Sequence, residues 1–315
     1  MQKTIETVSL PSGVACPTLI VGSVAFDDIV TPAMTGRRIL GGSASYASIA
    51  ASFFAPVRLV AVVGNDFEKE FIDRLENRGI CLEGVQHDAS GPTFFWAGEY
   101  TEDFNVRRTV DIKLNVFENF RPVLPESYQS VPYVLLGNIG PDLQMHVLNQ
   151  MRGDAFVVAD TIDLWIKTRH GELLEVVRKI DCYAINDSEA TLMTGESNTI
   201  KAGWRLLELG PKMAIIKKGE HGAYLFHSEG LFALPAYPVT DLHDPTGAGD
   251  SFVGALLGYL AAVNDTSYAA LKQAMLYATA TASLTVEAFS CDGLEKAGPE
   301  AIVDRYNTLL GMISI

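Results

Sequence analysis

Short apolar runs rich in β-branched residues recur along the chain with helical patterns between them, and this alternation restricts the fold more than any other feature. The runs are TLIVGSV (18–24), VRLVAVVG (57–64), VPYVLLG (131–137), AFVVAD (155–160), CYAIN (182–186) and KMAIIKKG (212–219). Near-continuous hydrophobicity over so few residues is the pattern of a strand covered on both faces. Helical spacing fills 45–54, 67–79, 142–151, 170–180 and 200–210, and three further helical stretches occupy 250–263, 266–286 and 299–311. Strand alternating with helix predicts a mostly parallel sheet in a three-layer α/β/α sandwich. With 315 residues, 48% of them hydrophobic, residues 1–315 have enough apolar material for one large domain. Residues 25–40 and 92–120 break the rhythm with aromatic and β-branched residues in polar-interrupted runs. They predict a small antiparallel β element, read as a lid over a pocket in preference to a plain exposed meander.

In an open parallel sheet ligands sit beyond the carboxyl ends of the strands. Asp27, Gly41, Gly42, Asp160, Asn186, Glu189, Lys218, Gly219 and the 244–250 loop all follow predicted strands or their linkers. The loop, DPTGAGD, runs directly into the apolar helix FVGALLGYLAAV. Gly247, Ala248 and Gly249 are therefore expected to form a tight turn whose free amides make an anion site at a helix N-terminus. Asp250 beside that site has the position of a general base for phosphoryl transfer, and equally that of a helix-capping residue; the turn alone does not separate the two.

Other chemistries lose support. The chain has neither G-x-x-x-x-G-K-[ST] nor a G-x-G-x-x-G after its first strand, and GGSAS at 41–45 lacks the last glycine of a nucleophile elbow. The six histidines have no zinc-ligand spacing, and Cys16, Cys81, Cys182 and Cys291 are scattered as in a reduced protein. A formal net charge of −14 argues against nucleic-acid and anionic-membrane partners. The first 22 residues lack the pattern of a signal peptide, and 252–263 is too short to span a bilayer, so a cytoplasmic protein is expected.

DPTGAGDSFVGALLGYL strongly resembles the C-terminal signature of the ribokinase-like, or PfkB, family of carbohydrate and nucleoside kinases. GGSASYASIAASFF (41–54) resembles its N-terminal signature, GNDFEKEFIDRLENRGI (64–80) an internal segment with Lys69 in place of a glycine, NDSE (186–189) its N-x-x-E motif, and KKGEHGAYLF (217–226) its strand–turn segment near the nucleotide. The resemblance implies transfer of the ATP γ-phosphoryl group to a substrate hydroxyl with Mg²⁺. It makes Asp250 the base and the amides of Gly247, Ala248 and Gly249 the anion hole. It assigns Asn186 and Glu189 to magnesium and its waters, although NDSEA also fits a helix cap. Lys218, Gly219, Gly222 and Thr246 are implied near the nucleotide, with the adenine pocket made by the 288–293 loop and by Ala278 and Ala282. Asp244 and Thr246 match positions that in some members hold a monovalent cation such as K⁺.

On the substrate side the resemblance implies Asp27 for sugar hydroxyls and Gly41 and Gly42 for close approach. Ala25, Ser43 and Tyr46 depart from the family's common sugar-binding residues, and Tyr46 is expected to stack on a base or an apolar sugar face. Lid residues Phe95, Trp96, Glu99, Asn105 and Arg107 are further candidates, as is Asp160. Arg37–Arg38 and Arg107–Arg108 are candidates for a phosphate clamp, or solvated edge charge. The expected substrate is a neutral sugar or polyol, then a nucleoside, then a sugar phosphate. The family also suggests a homodimer through the lid.

Overall fold

The computed structural model describes residues 10–11, 13–32, 34–102, 104 and 106–314. Its strands are β1 (Thr18–Val21), β2 (Ala25–Val30), β3 (Thr35–Gly41), β4 (Val57–Gly64), β5 (Cys81–Asp88), β6 (Phe94–Tyr100) and β7 (Arg107–Lys113) in the first part of the chain. There follow β8 (Tyr133–Leu136), β9 (Phe156–Ala159), β10 (Cys182–Asn186), β11 (Met213–Lys217), β12 (Ala223–His227) and β13 (Gly230–Leu234). Nine of them form one sheet in the order β13-β12-β11-β10-β9-β8-β1-β4-β5. Pairing is parallel from β5 through to β11, and β12 and β13 extend the edge as an antiparallel hairpin.

Alternate residues of the central strands enter two separate cores. Ile20, Leu59, Ala61, Leu135 and Ala184 pack into one, and Leu19, Val21, Val60, Val62, Val134, Leu136 and Ile185 into the other. A sheet buried on both faces explains why these strands read as unbroken apolar runs. The three-layer α/β/α architecture follows.

Four strands leave this sheet and form a second one in the order β3-β2-β6-β7. Each hairpin, β2–β3 and β6–β7, is antiparallel, but β2 and β6 pair in parallel. The expected small antiparallel element is thus present with one parallel pair at its centre. Register puts Asp27 opposite Trp96 and Phe26 opposite Phe95. Paired residues share a face, so Asp27 and Trp96 lie on one side of the lid while Phe95 packs toward the main core.

The helix Ala248–Val263 crosses the helix Ser43–Ala51 at backbone contact distance. A Cβ at Gly254 would sit 2.2 Å from the Ala47 carbonyl oxygen, and one at Gly258 would sit 2.8 Å from that of Ala51. These glycines let the helices approach closely, which brings the loops opening them, at Gly41–Gly42 and Asp244–Gly249, to the same end of the sheet.

Candidate active site

Gly247 adopts φ 77° and caps the helix Ala248–Val263. Asp244 shapes the approach: its Oδ1 accepts from Thr246 N at 2.9 Å, the local turn this residue type favours. Asp250 lies in the first helical turn and is partly buried. Burial pushes its carboxyl up to about 7, the Asp160 carboxylate adds to the rise, and Lys217 and Arg107 oppose it. A carboxylate titrating there can both accept and release a proton near neutral pH.

Asp27 is 3% exposed, and its carboxyl is held well above the usual range, first by burial and then by Asp244 and Asp250, with Arg107 opposing. Its carboxylate lies flat on Gly41, where a Cβ would stand 2.0 Å from Oδ2. Gly42 has φ 88°, and its Cβ would meet the Ser23 carbonyl oxygen at 2.4 Å. From the lid, Arg107 lies 5.3 Å from the Trp96 ring centroid, and Tyr100 Oη is 2.9 Å from Thr246 Oγ1. That last bond ties the second sheet to the Asp244–Gly249 loop. It was not anticipated from the sequence, where Tyr100 reads as one aromatic lid residue among several. Arg37 and Arg38 are engaged elsewhere, with Asp28, Asp66 and Glu68. Asn105 lies outside the described residues.

Asn186 and Glu189 form a reciprocal capping box. Asn186 Oδ1 accepts from Glu189 N at 2.8 Å, and Glu189 Oε2 accepts from Asn186 N at 2.9 Å. Burial and the Asp160 carboxylate raise the Glu189 carboxyl to about 7. No group of three or more His, Cys, Asp or Glu side chains arranged to hold a metal occurs among the described residues. One buried carboxylate still suits magnesium, which keeps most of its waters and takes phosphate oxygens as ligands. Asp244 is fully buried, its carboxyl is pushed up to about 6 by that burial, and its Oδ2 has no hydrogen bond.

Two expectations are corrected. Tyr46 does not present a stacking face: it is 1% exposed, and its ring occupies the place a Cβ on Gly247 would take, 2.3 Å away. It supports the Gly247 turn from beneath, and its hydroxyl has no hydrogen bond. Ala278 is fully buried in a helix enclosed on nearly all sides and cannot line an adenine pocket, whereas Ala282 is partly exposed. Lys218 turns back over the Tyr224 ring, 5.1 Å from its centroid. Gly219 has φ 53° and open space around it, while Gly222, at φ 87°, is required by its own hairpin, where a Cβ would lie 2.0 Å from the Leu234 carbonyl oxygen. The lysine that enters the cleft is Lys217, whose Nζ is 2.6 Å from Asp160 Oδ2. Sequence reasoning missed it because two adjacent lysines end the strand, and alternation alone did not fix which one faces inward.

The site thus gathers a carboxylate raised to about 7, a glycine turn at a helix N-terminus and a buried aspartate of the second sheet, all at the carboxyl edge of a parallel sheet. The chain is 31% identical over 251 residues to a cytidine kinase of Thermococcus kodakarensis, covering 76% of this chain and 87% of that one. The fold matches that of Methanocaldococcus jannaschii nucleoside kinase, an archaeal member of the ribokinase family, with a TM-score of 0.76 at 19% identity over 94% of this chain and 100% of that one. It also matches Arabidopsis thaliana ribokinase complexed with ribose and ATP, with a TM-score of 0.76 at 20% identity over 93% and 99% of the two chains. Residues 18–297 match the pfkB family carbohydrate kinase, and the chain belongs to that family of sugar and nucleoside kinases.

Proposed function

We propose that this kinase transfers the γ-phosphoryl group of ATP to a hydroxyl of a nucleoside or small sugar, with Asp250 as base. The observation that carries the reading is the juxtaposition of Asp250 with the glycine turn 247–249 at one helix N-terminus. Asp27 accepts hydrogen bonds from acceptor hydroxyls on the lid side. Asp250 takes the proton of the attacking hydroxyl as that oxygen bonds to phosphorus and the bond from phosphorus to the bridging oxygen of ADP breaks. Amides of Gly247, Ala248 and Gly249 stabilise the charge on the transferred group. Glu189 and Asn186 are the residues to hold Mg²⁺ through water; the ion supplies charge neutralisation on the phosphates.

The cytidine kinase relative and the aromatic face of Trp96 beside Asp27 support a nucleoside over a free sugar as acceptor. The orphaned Asp244 Oδ2, with the unbonded Tyr46 hydroxyl among the groups that interact with Asp244, supports a monovalent cation such as K⁺ behind the anion hole. Main sheet and lid act as one catalytic unit, and the exposed β7 strand with Val110 and Ile112 is the surface for a lid-to-lid homodimer. A cytoplasmic site of action fits a kinase that draws on ATP. No helix among the described residues is long and apolar enough to cross a membrane. The test is ADP release with Mg·ATP across nucleosides, sugars and polyols, with the product identified by mass. A nucleoside monophosphate is the expected product. Turnover of none of these acceptors would overturn the reading.

A further inference from the structure

Lys217 is the last residue of β11, in register with Asn186 of β10. The four residues before it, Met213–Ile216, are buried and apolar, so the strand needs no charge at this point for its packing. Its side chain is 15% exposed, and its ammonium is held by an Asp160 that is itself only 9% exposed at the side chain. A Cβ on Gly249 would stand 3.3 Å from the same Nζ. The ammonium therefore lies against the backbone of the anion-hole turn. Asp160 is fixed in turn, its Oδ1 accepting from Thr161 N at 2.8 Å. Burial opposes the lysine's charge, yet Asp160, Glu189 and Asp250 together raise its proton affinity above the ordinary value. One ammonium thus serves three surrounding carboxylates, and only one of them is hydrogen-bonded to it.

An ammonium has three donors and Asp160 accepts one. The remaining donors belong to an ammonium that lies against Gly249 of the glycine turn. We propose that Lys217 is a catalytic residue whose ammonium contacts the transferred phosphoryl group beside the Gly247–Gly249 amides, and that Asp160 is the positioning residue that holds it there. This rests on the kinase reading given above. During transfer Lys217 keeps its proton; the acceptor oxygen bonds to phosphorus, the bond to the leaving ADP oxygen breaks, and the acceptor proton passes to Asp250. The lysine adds a full positive charge, fixed by Asp160, to a set of fixed amide dipoles, which is the complement an anion-rich transition state requires.

The experiment compares wild type, Lys217→Met, Asp160→Asn and the double variant by kcat, by binding of Mg·ATP in calorimetry, and by the pH profile of kcat/KM. Loss of one preorganised donor predicts a kcat lower by about 10²–10³-fold in Lys217→Met, with nucleotide affinity changed by less than about tenfold. The acid limb of the profile moves to higher pH in Lys217→Met, because the ammonium lowers the proton affinity of Asp250, and to lower pH in Asp160→Asn, because that carboxylate raises it. A purely structural ion pair would give these shifts as well, but not the fall in kcat on the pH plateau at nearly unchanged nucleotide affinity. Should Lys217→Met fail to fold with Asp160 left unpaired, the double variant removes both charges and still lacks the catalytic ammonium. A folded double variant with wild-type kcat on the pH plateau would overturn the proposal. A wild type without phosphoryl transfer would overturn the kinase reading and this proposal together, whereas an active wild type with an equally active Lys217→Met would remove only the latter.

Discussion

Replacing Gly247 by alanine perturbs the anion hole without touching a charge, and its effect can be worked from the backbone outward. Gly247 sits at φ 77°, in the left-handed region, where an L side chain costs roughly 1–2 kcal/mol. The new Cβ would stand 2.3–2.4 Å from three atoms of the Tyr46 ring, against an ordinary contact of 3.4–4 Å. Tyr46 is buried and cannot swing aside, so the loop or the ring must shift by about 1 Å, an overpacking that costs roughly 1–3 kcal/mol. Together these give a destabilisation of about 3 kcal/mol. A shift of that size in the turn bearing the amides lowers kcat by about 10²-fold. Urea unfolding measures the first number and steady-state kinetics the second. Adding Tyr46→Ala gives the alanine at 247 room, so kcat should recover in part while the backbone term of roughly 1–2 kcal/mol persists. A Gly247→Ala protein within about 1 kcal/mol of wild-type stability and with unchanged kcat would refute the packing argument.

Three other outcomes follow from the geometry. Because the Asp250 carboxyl is raised to about 7, kcat/KM should rise with pH through that value and level off above it; a profile flat from pH 5 to 8 would contradict a base titrating there. The Asp244 carboxyl is raised from 3.8 to about 6 in the fold, so its protonated form stabilises the native state, and that contribution is lost as pH rises through 3.8 to 6. Asp244→Asn should then be more stable than wild type above pH 6 by roughly 3 kcal/mol in the absence of K⁺, and no more stable below pH 4, as read from urea midpoints. Tyr100→Phe removes the 2.9 Å bond between lid and Thr246, which is worth about 1 kcal/mol net, so kcat/KM for the acceptor should fall by up to about tenfold with little change in overall stability.

The buried strands and the helices that cross between them were legible because double-sided burial leaves a dense apolar signature. The strand β5, CLEGVQHD, was not, since it is the sheet's edge and mixes exposed polar residues with a single fully buried glycine. The 170–180 helix is preceded by a separate short one, Asp163–Thr168, divided from it at Arg169. Gly41, Gly42 and Gly247 were singled out by motif, and the structure gives each a geometric reason. Tyr46 and Ala278 were misjudged because neither hydropathy nor motif position says which helix face meets another helix. Lys217 and Tyr100 escaped for a related reason. Their importance comes from contacts with Asp160, Gly249 and Thr246, residues far away along the chain.

The central claim is that Asp250 removes the acceptor proton at an anion hole built from its neighbours. The most direct test is rapid-quench single turnover of γ-labelled ATP with the best acceptor, comparing wild type with Asp250→Asn at matched nucleotide occupancy. Asparagine keeps the shape and the helix start but cannot take the proton, so transfer should slow by about 10²–10⁴-fold while Mg·ATP still binds. Transfer at the wild-type rate in the asparagine protein would contradict the account.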